Sequence, residues 1–425
     1  MIFRVPSSIF CIPDLNCRWN QINGGCNMII GIIKERKNPP DNRVALTPVQ
    51  CVALKHKFPE LDIWVESCST RCFSDEEYRD AGIEVRDDIS DADIMLGIKE
   101  VPKEHLVAHK TYFFFSHTIK KQPYNRDLLR EVLKKNIRLV DYEVLKWETG
   151  QRVLGFGKWA GIVGAYNGLL VYGKKLKLFD LKPAHQCLDY SEIIENALDV
   201  HIPPMKIIVT GGGRVASGVL EFLRHIRIKE VTSEAFLKKS FKHPVFVQLN
   251  SPDLYGHSHL KKWNSPYFYA NHKEYFSKFR PYYQTADLLL NGIYWTEDLP
   301  RLFEKDELRN PEFRIKAIAD ISCDVNGSVP ITYEATSIAD PVIAWNRLDN
   351  CKADPYSSEN TIEVMAVGNL PNELPKDASS DFGGMLIQHV IPQLMEERSL
   401  LLEGATIARD GNLTERYEYL RDYVE

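Results

Sequence analysis

Met205-Lys206-Ile207-Ile208-Val209-Thr210-Gly211-Gly212-Gly213-Arg214-Val215-Ala216-Ser217-Gly218 decides the fold of this chain. A short apolar run enters a glycine-rich turn, and an amphipathic stretch follows with Val219, Leu220, Leu223 and Ile226 on one face. This reads as strand, tight turn and helix, with G-x-G-x-x-A spacing from Gly211 to Ala216 and Gly218 beyond it. Glycines permit the turn and let a pyrophosphate approach the backbone at the helix N-terminus. Free N–H groups and the helix dipole favour an anion there. Gly211, Gly212, Gly213, Arg214, Val215 and Ala216 are therefore candidate dinucleotide-binding residues. An ordinary glycine-rich turn has the same letters; the strand before it and the helix after it favour the dinucleotide reading. Such a site takes an acidic residue at the end of its second strand to bind ribose hydroxyls. Lys229 to Glu234 lies at the right distance, which makes Glu234 the candidate. A displaced acid would leave room for a 2′-phosphate, so NAD and NADP both stay open.

The segments before this motif alternate in the same way. Ile29–Ile33, Leu61–Val65, Ile94–Ile98 and Ile137–Tyr142 read as strands. Thr47-Pro48-Val49-Gln50 reads as a capped helix start, and Ser74–Ala81 and Asn125–Asn136 as helices. Strands alternating with helices predict an α/β domain with a mostly parallel sheet. Trp159–Leu176 reads as a long helix with Gly161, Gly164, Gly168 and Gly173 spaced for close packing, expected to bridge two domains.

After the motif, residues 240–283 are rich in aromatics, His and Lys and carry four prolines; they are expected to be an insertion. Buried strands resume at Ala286–Gly292 and Ile315–Ile321. Ligands of such sheets lie beyond strand C-termini, so Asn291 and Asp324 are candidates to face a nicotinamide. A helix from Phe382 to Leu400 and a helical tail near Leu413–Tyr423 close the chain.

Two further strand ends carry titratable groups. Ile94-Met95-Leu96-Gly97-Ile98 runs into Lys99, and Tyr112–Phe115 leads to His117. Taken singly, these are an ordinary surface lysine and a core-edge histidine. Held on rigid elements around one site, they make an acid/base pair.

Composition bounds the function. The 425 residues suffice for two or three domains, and the net charge of −5 argues against a general nucleic-acid binder. No apolar run approaches the roughly 18 residues of a membrane span. The nine cysteines are odd in number and irregularly spaced; only Cys68 and Cys72 sit close together. They read as reduced thiols of a cytoplasmic protein, with no metal site. Residues 1–27 fit neither a signal nor a transit peptide. They are expected to be a disordered tail or sequence upstream of a true start at Met28.

The assembled stretches resemble the alanine dehydrogenase/saccharopine dehydrogenase superfamily, with the strongest likeness to its lysine-ketoglutarate reductase and lysine-forming saccharopine dehydrogenase branches. The likeness runs from about Met28 to the C-terminus. It rests on Arg43–Pro48, Gly97-Ile98-Lys99, Phe114–Lys120, Ile137–Glu143, Phe156–Gly161, Asn291–Trp295 and Asp320-Ile321-Ser322. It implies two Rossmann-like lobes with a cleft between them and a C-terminal helix returning to the first. The first lobe would be residues 28–157 and 372–425, and the dinucleotide lobe 158–371. It implies Lys99 and His117 as the catalytic pair, Arg43 and Arg152 as carboxylate anchors, Glu143 in the lysine-side pocket and Asp324 beside the nicotinamide. It also implies NAD(P)-dependent condensation of lysine with 2-oxoglutarate through an imine to give saccharopine, or the reverse. Histidine suits proton transfer near neutral pH, and a lysine can share it when burial or nearby cations lower its pKa. Arginine forks suit a substrate with three carboxylates. One position departs: saccharopine-type enzymes carry an aspartate where this chain has Gly368. An alanine dehydrogenase-like enzyme and a non-catalytic dinucleotide-binding module are the competing readings. Oligomeric state is not legible.

Overall fold

The computed structural model describes residues 27–425. The expectation for the leading segment lies outside them. The chain divides into two units. One comprises the chain up to Gly155 together with Ser379–Glu425; the other is Phe156–Ala378. The first boundary lies two residues short of the expected 157/158, and the second seven residues beyond the expected 371/372.

In the first unit the elements run β1 (Met28–Ile32), α1 (Pro48–Lys57), β2 (Leu61–Glu66), α2 (Asp75–Asp80), β3 (Glu84–Arg86), β4 (Ile94–Leu96), β5 (Thr111–Phe114), α3 (Arg126–Lys134) and β6 (Arg138–Asp141). Their starts follow from local chemistry. Thr47 and Gln50 form a capping box at α1 with Pro48 in its first turn, and Ser74 and Glu77 do the same at α2. The strands pair parallel in the order β6-β5-β4-β1-β2-β3. The order reverses between β1 and β4, and a ligand crevice forms beyond the carboxyl ends of strands at such a switch point.

The second unit runs α4 (Gly157–Leu176), α5 (Tyr190–Asp199), β7 (Lys206–Thr210), α6 (Arg214–His225), β8 (Lys229–Glu230), α7 (Ser233–Lys238), β9 (Val245–Leu249), β10 (Tyr255–His257), β11 (Tyr275–Ser277), β12 (Leu288–Asn291), β13 (Ala317–Asp320), β14 (Val342–Asn346), β15 (Cys351–Ala353) and β16 (Thr361–Met365). Its main sheet has the order β15-β14-β16-β13-β12-β7-β9-β8, parallel from β16 to β8. The glycine loop leaves β7 at this sheet's own reversal.

Two expectations are corrected here. The insertion does not start at 240: Val245–Leu249 is a buried strand paired in register with β7. Its flanking lysines, histidine and proline hid a run that tertiary pairing makes central. The excursion proper follows it and includes the two-stranded β10–β11 ribbon. Helix α4, expected to bridge domains, packs inside the second unit. A Cβ on Gly161 would sit 1.9 Å from the Val215 carbonyl oxygen, and one on Gly218 1.9 Å from that of Lys158. The glycines thus let the α4 and α6 backbones touch.

The C-terminal stretch is also corrected. Instead of one helix from Phe382 to Leu400, α8 (Pro375–Met385) starts earlier and passes through a π-helical turn, Leu386–Val390, before Ile391–Leu394. Pro392 lacks an N–H and its ring crowds the preceding turn, which accounts for the break. Then β17 (Thr406–Arg409) and β18 (Asn412–Leu413) form a hairpin whose turn residues Asp410 and Gly411 both have positive φ, 51° and 75°. Asp-Gly is the sequence signal for such a turn. β17 pairs antiparallel with β6, so the chain end completes the first sheet. Among the described residues no helix is long and apolar enough to cross a membrane.

Candidate active site

The carboxyl ends of β1, β4, β5 and β6 gather the titratable groups of the first unit. Glu35 lies three residues past β1, and its carboxylate accepts the N–H of Ile98 at 2.6 Å and of Lys99 at 2.9 Å. It therefore holds the backbone that presents Lys99. The Glu35 residue keeps some surface while its carboxyl is enclosed. Burial, then the Asp41 charge, push that carboxyl up to about 7 against the two N–H bonds and Arg43. Burial, then the neighbouring Arg43 cation, pull the Lys99 ammonium below its ordinary value despite Asp41. A shift in that direction makes it easier for a lysine to give up its proton.

Arg43 is 3% exposed, and its Nε and Nη2 donate to the two oxygens of Asp41 at 2.9 and 2.5 Å. Much of the fork expected to meet a substrate carboxylate is thus taken by an internal partner.

His117 follows β5 in a left-handed conformation, φ 54°. Its Nδ1 is 3.2 Å from Glu143 Oε2 and its Nε2 4.0 Å from Glu100 Oε1, while Phe115 stacks on the ring. A carboxylate only accepts, so Nδ1 carries the hydrogen toward Glu143. Glu143 sits just after β6. Its Oε1 is 2.9 Å from Arg152 Nη2 and 3.1 Å from Lys120 Nζ. Burial works to raise the Glu143 carboxyl, but the His117 bond, Lys120 and Arg152 outweigh it and hold it at about 2. Arg152, half exposed, serves Glu143 here. Glu35, Asp41, Glu100 and Lys120 belong to this cluster and were not singled out from sequence. Glu35 and Glu100 stood at strand ends as Lys34-Glu35 and Lys99-Glu100, a signal of the same kind as Lys99 itself.

In the second unit, Gly211 has φ +97° and a Cβ there would lie 2.9 Å from the Gly292 carbonyl oxygen. Gly213 caps α6 without any side-chain bond, and no atom lies within 4 Å of where its Cβ would be. Arg214, Val215 and Ala216 form the first turn. An uncapped helix start under open space fits the pyrophosphate of a dinucleotide.

Two cofactor candidates, Glu234 and Asn291, are placed differently from expectation. Glu234 is in α7, with its side chain 76% exposed and paired to Lys238 at 2.9 Å, and does not end a strand. The strand that pairs with β7 on the side away from β12 is β9, and the residue after it is Asn250, whose Oδ1 would lie 2.5 Å from a Cβ on Gly212. Asn291 is fully buried; its amide accepts from Thr210 Oγ1 at 2.6 Å and donates to Asp320 at 2.8 Å and Ser328 at 2.9 Å. It ties strand ends together, so its side chain does not face a ligand. Asp324 is exposed in the loop after β13. Gly368 is exposed with nothing within 4 Å of a Cβ, so packing does not forbid a carboxylate there. Among the described residues no group of metal ligands forms.

Residues 31–163 match the family described as alanine dehydrogenase/PNT, N-terminal domain. The chain is 30% identical over 429 residues to alpha-aminoadipic semialdehyde synthase, mitochondrial, of Rattus norvegicus, covering 85% of the chain and 44% of that protein. It is 28% identical over 443 residues to alpha-aminoadipic semialdehyde synthase of Arabidopsis thaliana, covering 93% and 41%. The chain thus spans less than half the length of these synthases. It is 25% identical over 384 residues to saccharopine dehydrogenase [NAD(+), L-lysine-forming] of Candida glabrata, covering 84% of the chain and 89% of that protein. A solved L-alanine dehydrogenase shares the fold, with a TM-score of 0.63, 16% identity and 94% of the chain covered. Residues 31–163 therefore match an alanine dehydrogenase/PNT N-terminal domain, the chain shares the fold of an alanine dehydrogenase, and its homologues include aminoadipic semialdehyde synthases and saccharopine dehydrogenases.

Proposed function

We propose that this chain is an NAD(P)-dependent saccharopine dehydrogenase of the lysine-forming type, which reversibly condenses L-lysine with 2-oxoglutarate and reduces the imine. The observation that carries this reading is one cluster: a depressed Lys99 amine, and His117 held by Glu143 with Glu100 near its other nitrogen.

The dinucleotide, when bound, supplies or takes the hydride. The Gly211–Ala216 turn would hold its pyrophosphate. Lys99, in its neutral form, takes a proton from the substrate ε-ammonium and frees the amine to attack the keto carbon. His117 donates through Nε2 to the carbinol hydroxyl that leaves as water, while Glu143 holds Nδ1 and so orients the ring. Lys120, Arg152 and Arg43 supply a cationic setting for the substrate carboxylates. At the end of β9, Asn250 stands where an acid would bind the ribose hydroxyls; this favours room for a 2′-phosphate and hence NADP. Reduced thiols would fit a reducing compartment such as the cytoplasm.

The test is absorbance at 340 nm with NADH or NADPH, offering lysine plus 2-oxoglutarate and then ammonia plus pyruvate. Oxidation of the nucleotide with the first pair is expected. Turnover with the second pair alone makes the chain an alanine dehydrogenase-like enzyme. Nucleotide binding without any turnover makes it a binding module.

A further inference from the structure

Asp141 takes no part in the chemistry above, yet it is bonded to both loops that carry it. It ends β6 and has no exposed surface. Its Oδ1 accepts the Glu143 N–H at 2.7 Å. Its Oδ2 accepts the Ser116 N–H at 3.2 Å and the Ser116 hydroxyl at 2.5 Å. The Ser116 hydroxyl oxygen also lies 2.8 Å from Thr118 Oγ1 and accepts the Thr118 N–H at 3.3 Å. Ser116 and Thr118, both fully buried, flank His117, whose backbone is left-handed. One carboxylate therefore grips the chain on the near side of His117 directly, on the far side through Ser116, and at Glu143 itself.

A buried carboxylate is a costly way to fill a core position. Burial drives the Asp141 carboxyl up to about 6; the Ser116 bond and the Glu143 N–H oppose this, the Glu143 charge adds to it, and His117 lowers it. An apolar residue would avoid that cost. It would also leave the Ser116 and Glu143 N–H groups without this acceptor, and the separation of the His117 and Glu143 side chains would no longer be set by a shared bond.

We propose that Asp141 is a positioning residue: it clamps the loops leaving β5 and β6 so that His117 Nδ1 meets Glu143. For its effect on turnover this rests on the proposed function; the clamp itself does not. The Asp141→Asn side chain is isosteric but presents an amide donor to one of the donors it now accepts from, so one arm of the clamp opens.

The test uses the full chain and two readouts. Nitrogen-15 NMR of the imidazoles should show a hydrogen-bonded Nδ1–H on His117, identified by its loss in His117→Ala, and Asp141→Asn should weaken or abolish it. In the assay above, Asp141→Asn should lower kcat by roughly 10–100-fold, leave nucleotide Kd unchanged, and cause no further loss when added to His117→Ala. If Asp141→Asn does not fold, Ser116→Ala removes only the hydroxyl arm and should shift the same resonance. An unchanged Nδ1–H signal in a folded variant overturns the clamp, as does a kcat loss that adds in full to that of His117→Ala. If the wild type turns over no substrate pair, the functional reading fails while the NMR result still decides the clamp.

Discussion

His117 Nδ1 and Glu143 Oε2 lie 3.2 Å apart, and the same glutamate meets Arg152 and Lys120 through its other oxygen. One carboxylate thus orients the imidazole and joins two cations. Glu143→Gln keeps the shape but removes the charge. We expect kcat to fall by about 100-fold, in the range for a misset acid/base group, with nucleotide affinity unchanged, measured by steady-state kinetics and fluorescence titration.

The same residue has a signature in stability. Its folded pKa of about 2 lies below the ordinary 4.5. A depressed carboxylate stabilises the fold above its unfolded pKa, and that contribution disappears as pH falls through the folded one. Denaturant midpoints of wild type minus Glu143→Gln should therefore shrink between about pH 4.5 and 2; a difference constant with pH would refute the assignment.

Glu35 has the opposite sign. Its folded pKa of about 7 lies above 4.5, so the folded protein binds more protons than the unfolded chain between those values. Its contribution falls as pH rises from about 4.5 to 7. Glu35→Gln should lose stability relative to wild type at pH 5 and regain ground by pH 8, read by urea denaturation. Because Glu35 holds the Lys99 backbone, kcat should drop at both pH values.

The glycine loop separates binding from folding. Gly213 faces open space, so Gly213→Val should leave the thermal midpoint within a few degrees of wild type and abolish nucleotide binding by calorimetry. Asn250→Asp should place a negative charge near the ribose and weaken NADPH relative to NADH by about 10-fold, an effect of about 1.4 kcal/mol.

Gly161 behaves differently although it is also a glycine. Its Cβ would strike the Val215 carbonyl oxygen, a backbone atom that cannot rotate aside. Gly161→Ala should cost roughly 1–3 kcal/mol through overpacking, measured by urea denaturation at neutral pH.

What the sequence by itself determined was local. Apolar runs such as Ile94–Ile98 and Met205–Thr210 announced strands, Thr47 and Ser74 announced helix starts, and Lys99 and His117 stood out as titratable groups past strand ends. Each of those depends on neighbours within a few positions, where rotamer, dihedral and capping preferences act. What only the tertiary structure decided was pairing across distance. Val245–Leu249 became the strand beside β7, and Thr406–Arg409 joined β6, because hydrogen bonding between strands is set by the whole sheet. The site divides in the same way. Glu35 reaches Lys99 across 64 positions, Asn291 is consumed by Thr210, Asp320 and Ser328, and Glu234 turns outward from a helix. A titratable letter says what a side chain can do; the partner that burial gives it decides whether it is left to meet a ligand or holds a neighbour, as Glu35 and Asp141 do.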